Sequence, residues 1–151
     1  MTITIYHNPE CGTSRNVLAI LEAAGYAPVI VEYLKTGWQR GQLVRLLADA
    51  GLTPRAALRE SKSPAKALGL LDPAVSDEHL LEAMLDDPVL VNRPIVVSDK
   101  GTKLCRPSEV VLDLIDRFPI GPFYKEDGEL LIAEDGKRVL QDGVPVPARF
   151  K

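Results

Sequence analysis

The sequence predicts an α/β fold assembled as βαβ, then a run of helices, then ββα. Three observations predict it. A β-rich run, a helical stretch and a second β-rich run follow one another within the first 33 residues. Helical periodicity dominates from about residue 38 to 90, and β-rich segments return after Arg93 as a hairpin followed by another helical stretch.

The elements can be justified in order. Residues 2–6 are β-rich and run into His7 and Asn8. From Ser14 onward, Val17, Ile20, Leu21 and Ala24 recur at i, i+3, i+4 and i+7, one face of a helix that stops at Gly25. Val29 to Tyr33 make a buried strand, which completes a βαβ unit with parallel strands and a right-handed crossover. In the middle stretch, Leu43, Leu46, Leu47 and Ala50 form an apolar helix face. "PRAALRESK" predicts a short helix with Arg55 and Arg59 one turn apart, and "SPAKALGLL" predicts a third. "SDEHLLEAMLDD" predicts a fourth, capped by Ser76, with Leu80, Leu81, Met84 and Leu85 as its stripe. Ile95 to Ser98 and Lys103 to Cys105 then pair across a turn at Asp99-Lys100-Gly101. A helix is predicted from Pro107, with Val111, Leu114, Ile115 and Phe118 inward. This order is that of a thioredoxin-like domain, residues 1–120, with a helical insertion at about 38–90. Residues 121–151 contain three Asp-Gly steps and read as a turn-rich extension with a flexible tail.

The 151 residues carry 18 Lys and Arg against 21 Asp and Glu, a net charge of −3. That balance argues against nucleic acid or a membrane surface as a general partner, since both are polyanionic. No secretory signal or bilayer-length apolar run is read. Two cysteines make no disulfide framework, so a reducing compartment, the cytoplasm, is expected.

The chemistry centres on "YHNPECGTSRN", residues 6–16, where a strand gives way to a helix. Amides and the helix dipole at that junction favour a thiolate on Cys11. Composition alone favours a small buried cysteine; the polar surroundings and the junction bring a reactive reading level with it. His7 offers either a charge or hydrogen bond to that thiol or a strand-end contact with backbone, and His79 reads as solvated. Arg59, Arg93 and Arg106 come from three separate parts of the chain. In a thioredoxin-like domain a cis proline opens the strand facing the cysteine; with Pro94 in that place, Arg93 lies beside Cys11. Three guanidinium groups around a thiolate would bind a tetrahedral oxyanion, whereas each alone reads as a surface residue.

Spacing sets aside neighbouring chemistries. A cysteine phosphatase loop needs its arginine further along than Arg15, which follows Cys11 by only four residues. A dithiol oxidoreductase needs C-x-x-C, and here Ser14 holds the second cysteine's place. Resolution of Cys11 would fall to an outside thiol or to Cys105. The cysteines and histidines form no close ligand pairs, so no metal is expected.

"YHNPECGTSRN", "RAALRES", "VNRPIVV" and "LCRPSEVVLD", in that order, resemble the glutathione- and glutaredoxin-dependent arsenate reductases of bacteria. The likeness runs from about residue 2 to 138 and includes "KEDGE" and "GKR". It implies Cys11 as the nucleophile towards arsenate, His7 as the group keeping it ionised, and Ser14 as a hydrogen-bond partner of the thiolate. It also implies Arg59, Arg93 and Arg106 as ligands of the arsenate and arsenite adducts, and Cys105 as a non-catalytic cysteine. Glutathione is the implied co-substrate and glutaredoxin the implied partner, with no tightly bound cofactor. Two other functions fit the fold: a glutathione-dependent thiol reductase on another substrate, and an Spx-like redox regulator binding RNA polymerase. The missing C-x-x-C and the three arginines favour the arsenate enzyme.

Overall fold

The computed structural model describes residues 1–141 and 143–146. Of the tail expected to be flexible, 147–151 lies outside the described residues. The chain divides into two compact units, one of Met1–Val31 with Arg93–Lys151 and one of Glu32–Asn92.

The first unit is thioredoxin-like. Its sheet has the order β2-β1-β3-β4, from β1 (Thr4–Tyr6), β2 (Val29–Val31), β3 (Ile95–Ser98) and β4 (Gly101–Leu104). β1 runs parallel to β2, with Ile5 opposite Ile30, and antiparallel to β3, with Ile5 opposite Val96. Helix α1 (Gly12–Ala23) makes the crossover between β1 and β2. Its predicted stripe is its buried face, with Val17, Ile20 and Leu21 fully inside. Each such side chain contributes roughly 1.5–3 kcal/mol by leaving water. The helix stops where expected: Gly25 takes φ +90°, and its N–H bonds Glu22 O at 3.0 Å.

After Pro107 the chain forms a 3₁₀ helix, Ser108–Leu114, rather than the predicted α-helix. Ser108, Val111 and Leu114 are buried at a spacing of three, which lines up on one face at three residues per turn. The extension also packs inward. β5 (Phe123–Tyr124) pairs with β6 (Leu130–Ile132), and β7 (Leu140–Gln141) with β8 (Val144–Pro145). Leu131, Ile132 and Leu140 join the buried cluster built by Ile5, Val17, Val96 and Val111. Gly121 is required at the entry to this region, because a Cβ there would fall 1.7 Å from Ala133 O.

The second unit is helical, with α2 (Tyr33–Thr36), α3 (Arg40–Asp49), α4 (Pro54–Ala57), α5 (Asp77–Asp86) and a 3₁₀ turn at Pro88–Leu90. Tyr33 opens α2 instead of closing the second strand, and it stacks on buried Trp38 at 5.1 Å between ring centroids. Ser76 caps α5 as predicted, accepting the His79 N–H at 3.1 Å, and His79 is exposed. The helix predicted from "SPAKALGLL" is instead a series of turns. Pro64 and Gly69, the latter at φ +73°, bracket too few residues to propagate a helix. The Arg55 guanidinium donates to the carbonyls of Leu70, Asp72 and Val75 and so satisfies this irregular segment. Among the described residues no helix is long and apolar enough to cross a membrane.

Candidate active site

The junction between β1 and α1 is shaped by short-range hydrogen bonds. The His7 N–H bonds Val31 O at 2.8 Å and continues the parallel ladder one residue past β1. Asn8 then turns the chain: its Oδ1 accepts the Glu10 N–H at 2.9 Å and its carbonyl accepts the Cys11 N–H at 3.0 Å. Cys11 thereby arrives as the N-cap of α1 with extended backbone, φ −98° and ψ 121°.

Cys11 is 6% exposed. Burial by itself would raise its thiol pKa. The Ser14 main-chain N–H, the Arg93 charge and Arg106 act the other way and prevail, so the thiol lies below its ordinary value. No helix amide makes a full cap hydrogen bond to the sulfur. The Ser14 main-chain N–H is the backbone group that favours charge on the sulfur. Arg106 Nη1 lies 3.6 Å from Sγ and also donates to Arg93 O at 3.2 Å. Arg93, largely buried, precedes Pro94 across a cis peptide bond.

Ser14 is fully buried, and its hydroxyl has two partners. Oγ accepts the Asn8 N–H at 3.1 Å and meets His7 Nδ1 at 2.6 Å. His7 is thus tied to Ser14, whose main-chain N–H is the Ser14 group that lowers the Cys11 thiol. Cys11, His7, Ser14, Arg93 and Arg106 all belong to the first unit.

Arg59 belongs to the second unit and lies beyond the end of α4, so the expected helix face shared with Arg55 does not form. Leu58 bridges to Val91, the Arg59 N–H bonds Leu90 O at 2.8 Å, and Nε donates to Ser61 O at 3.1 Å. Cys105 is fully buried in the core, and burial pushes its thiol well up, leaving it protonated and inert.

Sequence reasoning missed one pair at this site. In the sequence Arg15 is notable only for its distance along the chain from Cys11, and "KEDGE" only for family likeness. Arg15 donates Nη2 to Glu126 Oε1 at 2.8 Å and Nε to Glu126 Oε2 at 3.1 Å. The position of Arg15 in the first turn of α1 was readable; nothing local marked Glu126, which comes from 111 residues away.

A thioredoxin-like sheet that presents one thiol of lowered pKa at a helix N-terminus, with arginine charge acting on it, defines a class of single-cysteine thiol proteins able to hold an oxyanion against sulfur. Within that class the chain belongs to the ArsC family, whose model matches residues 6–114. Arsenate reductase ArsI2 of Synechocystis is 63% identical over 137 residues, covering 91% of this chain and 98% of that protein. The arsenate reductase of Escherichia coli K12 is 50% identical over 137 residues, covering 91% and 97%. Among solved structures, the arsenate reductase from Vibrio cholerae superimposes with a TM-score of 0.71 at 41% identity, covering 76% of this chain and 98% of that one.

Proposed function

We propose that this protein is an arsenate reductase that works with glutathione and glutaredoxin. The observation that carries the reading is the Cys11 sulfur with a depressed pKa and the Arg106 guanidinium 3.6 Å away. A thiolate attacks arsenic, and guanidinium groups neutralise the oxygens gathered around it.

In this scheme Arg93 and Arg106 hold arsenate, and the Cys11 thiolate forms a sulfur–arsenic(V) bond as one oxygen leaves as water. Glutathione adds its thiol. The two sulfurs then join as a Cys11–glutathione disulfide, and their electron pair passes to arsenic, which departs as arsenite. Arsenate and two thiols become arsenite, one disulfide and one water. Glutaredoxin, with further glutathione, returns Cys11 to the thiol. His7 and Ser14 hold the junction in the form that keeps Cys11 ionised. Every electron comes from a thiol, which suits a reducing cytoplasm. Phosphate shares the shape and charge of arsenate but does not accept electrons from sulfur, so it binds without turnover.

The test is arsenate-dependent NADPH oxidation by purified protein with glutathione, glutaredoxin and glutathione reductase. Activity is expected to disappear in Cys11→Ser and to fall by about 10²-fold in Arg93→Ala, the scale for removing one preorganised donor. Absence of any arsenate-dependent rate in the unaltered protein, while Cys11 still titrates as a reactive thiolate, would sink the assignment.

A further inference from the structure

We propose that Arg15 and Glu126 are positioning residues for Cys11: a clamp in which the β5–β6 hairpin of the C-terminal extension holds the loop that carries the thiolate. The inference rests on the reading of Cys11 as the reactive thiol.

The geometry is that of a bridge. Arg15 sits in the first turn of α1, its N–H bonded to Cys11 O at 2.9 Å. Its guanidinium reaches backwards with Nη1 to Pro9 O at 2.8 Å, inside the loop before Cys11. The other side of the fork is bidentate to Glu126. Glu126 is fixed in turn, since its own N–H donates to Asn16 Oδ1 at 2.9 Å. The hairpin comes so close to the helix start that a Cβ on Gly12 would lie 2.9 Å from Glu126 Oε1. Pro9, Arg15, Asn16 and Glu126 thus tie loop, helix and hairpin together around the N-cap.

Magnitude decides what the clamp is for. Both side chains are 45% exposed, and pairs so exposed to water and salt add little to stability. Global stability is therefore not its purpose. Orientation is: the Ser14 N–H and the N-cap backbone act on the thiolate only while the 7–11 loop keeps its conformation. The Arg15 guanidinium holds the Glu126 carboxyl below its ordinary pKa, which favours the charged form that the clamp needs. The charged groups around Cys11 and the clamp are Arg93, Arg106, Arg15, Glu10, Glu126 and Asp127, with His7 tied to Ser14.

Opposite signs separate positioning from simple charge. Removing the Glu126 anion should favour the thiolate if only charge matters and disfavour it if the clamp matters. The experiment is iodoacetamide alkylation of Cys11 in the full-length protein, followed across pH, which needs no arsenate and reads the clamp whatever the substrate is. Glu126→Gln is expected to move the midpoint upward and slow alkylation below it by about threefold, and Arg15→Lys, which keeps the cation but loses the fork, by about fivefold. The double variant should be no slower than Arg15→Lys alone, because both break one device. Asn16→Ala, which changes no charge, should shift the midpoint in the same direction. A downward or absent shift in Glu126→Gln, additive effects in the double variant, or no shift in Asn16→Ala would each overturn the proposal.

Discussion

Three neighbours hold the Cys11 thiol below its ordinary pKa, each acting from a different part of the backbone. The Ser14 N–H belongs to the helix, Arg93 to the entry of β3 and Arg106 to the exit of β4, and together they outweigh the burial that opposes the charge. Alkylation by iodoacetamide should therefore show a midpoint below that of an ordinary thiol, near 8.5. Arg106→Ala, which deletes the cation 3.6 Å from the sulfur, should raise that midpoint and slow the reaction at neutral pH by about tenfold. Cys105 should stay unlabelled until the protein unfolds. The same shift links to stability with a definite sign. Since the folded pKa is the lower one, the thiolate's contribution is complete above the unfolded thiol pKa and is lost as pH falls through the folded value. Urea midpoints of the unaltered protein and Cys11→Ser should diverge as pH rises through that interval and run parallel above it.

At the scale of elements, the extension is fastened to the domain by side chains that cross from one segment to the other. Arg138 donates to Asp113 Oδ1 and to Glu109 O, both at 3.1 Å, which ties the approach to β7 to the 3₁₀ helix. Beneath the β5–β6 hairpin, Lys125 Nζ lies 3.4 Å from Glu109 Oε1, with the lysine 9% exposed and the glutamate fully buried. The second Glu109 oxygen has no partner among the described residues. Losing Lys125 would leave a buried carboxylate uncompensated, a change that costs about 3–5 kcal/mol. Lys125→Met, which keeps the aliphatic length, should lower unfolding free energy by that order in a urea titration. An effect under 1 kcal/mol would mean that the carboxylate finds water instead. The stripe of α1 and the cap of α5 were legible in the sequence because helix periodicity and capping are properties of neighbouring residues. The 3₁₀ helix after Pro107 was not, because apolar residues at 111, 114, 115 and 118 fit an α-helix equally well. Packing of Ser108, Val111 and Leu114 chose between them.

At the scale of the molecule, residues far apart in sequence share one core in the first unit: Ile5 from β1, Val17 and Leu21 from α1, Val96 from β3, Leu114 from the 3₁₀ helix, and Leu131 and Ile132 from β6. Leu131→Ala removes a fully buried side chain and should cost about 2–5 kcal/mol. The loss should appear in a single cooperative transition in which Cys11 also returns to the alkylation midpoint of an ordinary thiol, if the extension folds with the sheet it packs on. Retention of the lowered midpoint after the extension has melted would contradict that shared core. The sequence by itself determined the βαβ order, the helical stretch within it, the thiol at a strand-to-helix junction and the family motifs, all of which are carried by residues close together along the chain. Tertiary structure alone decided that Arg106 meets Cys11, that His7 bonds the Ser14 hydroxyl, and that Glu126 reaches Arg15 across 111 residues. The physical reason is range. Periodicity, capping and turn chemistry act over a few residues, whereas the field at a buried thiol sums every charge that folding brings within a few ångströms, and chain order does not encode that distance.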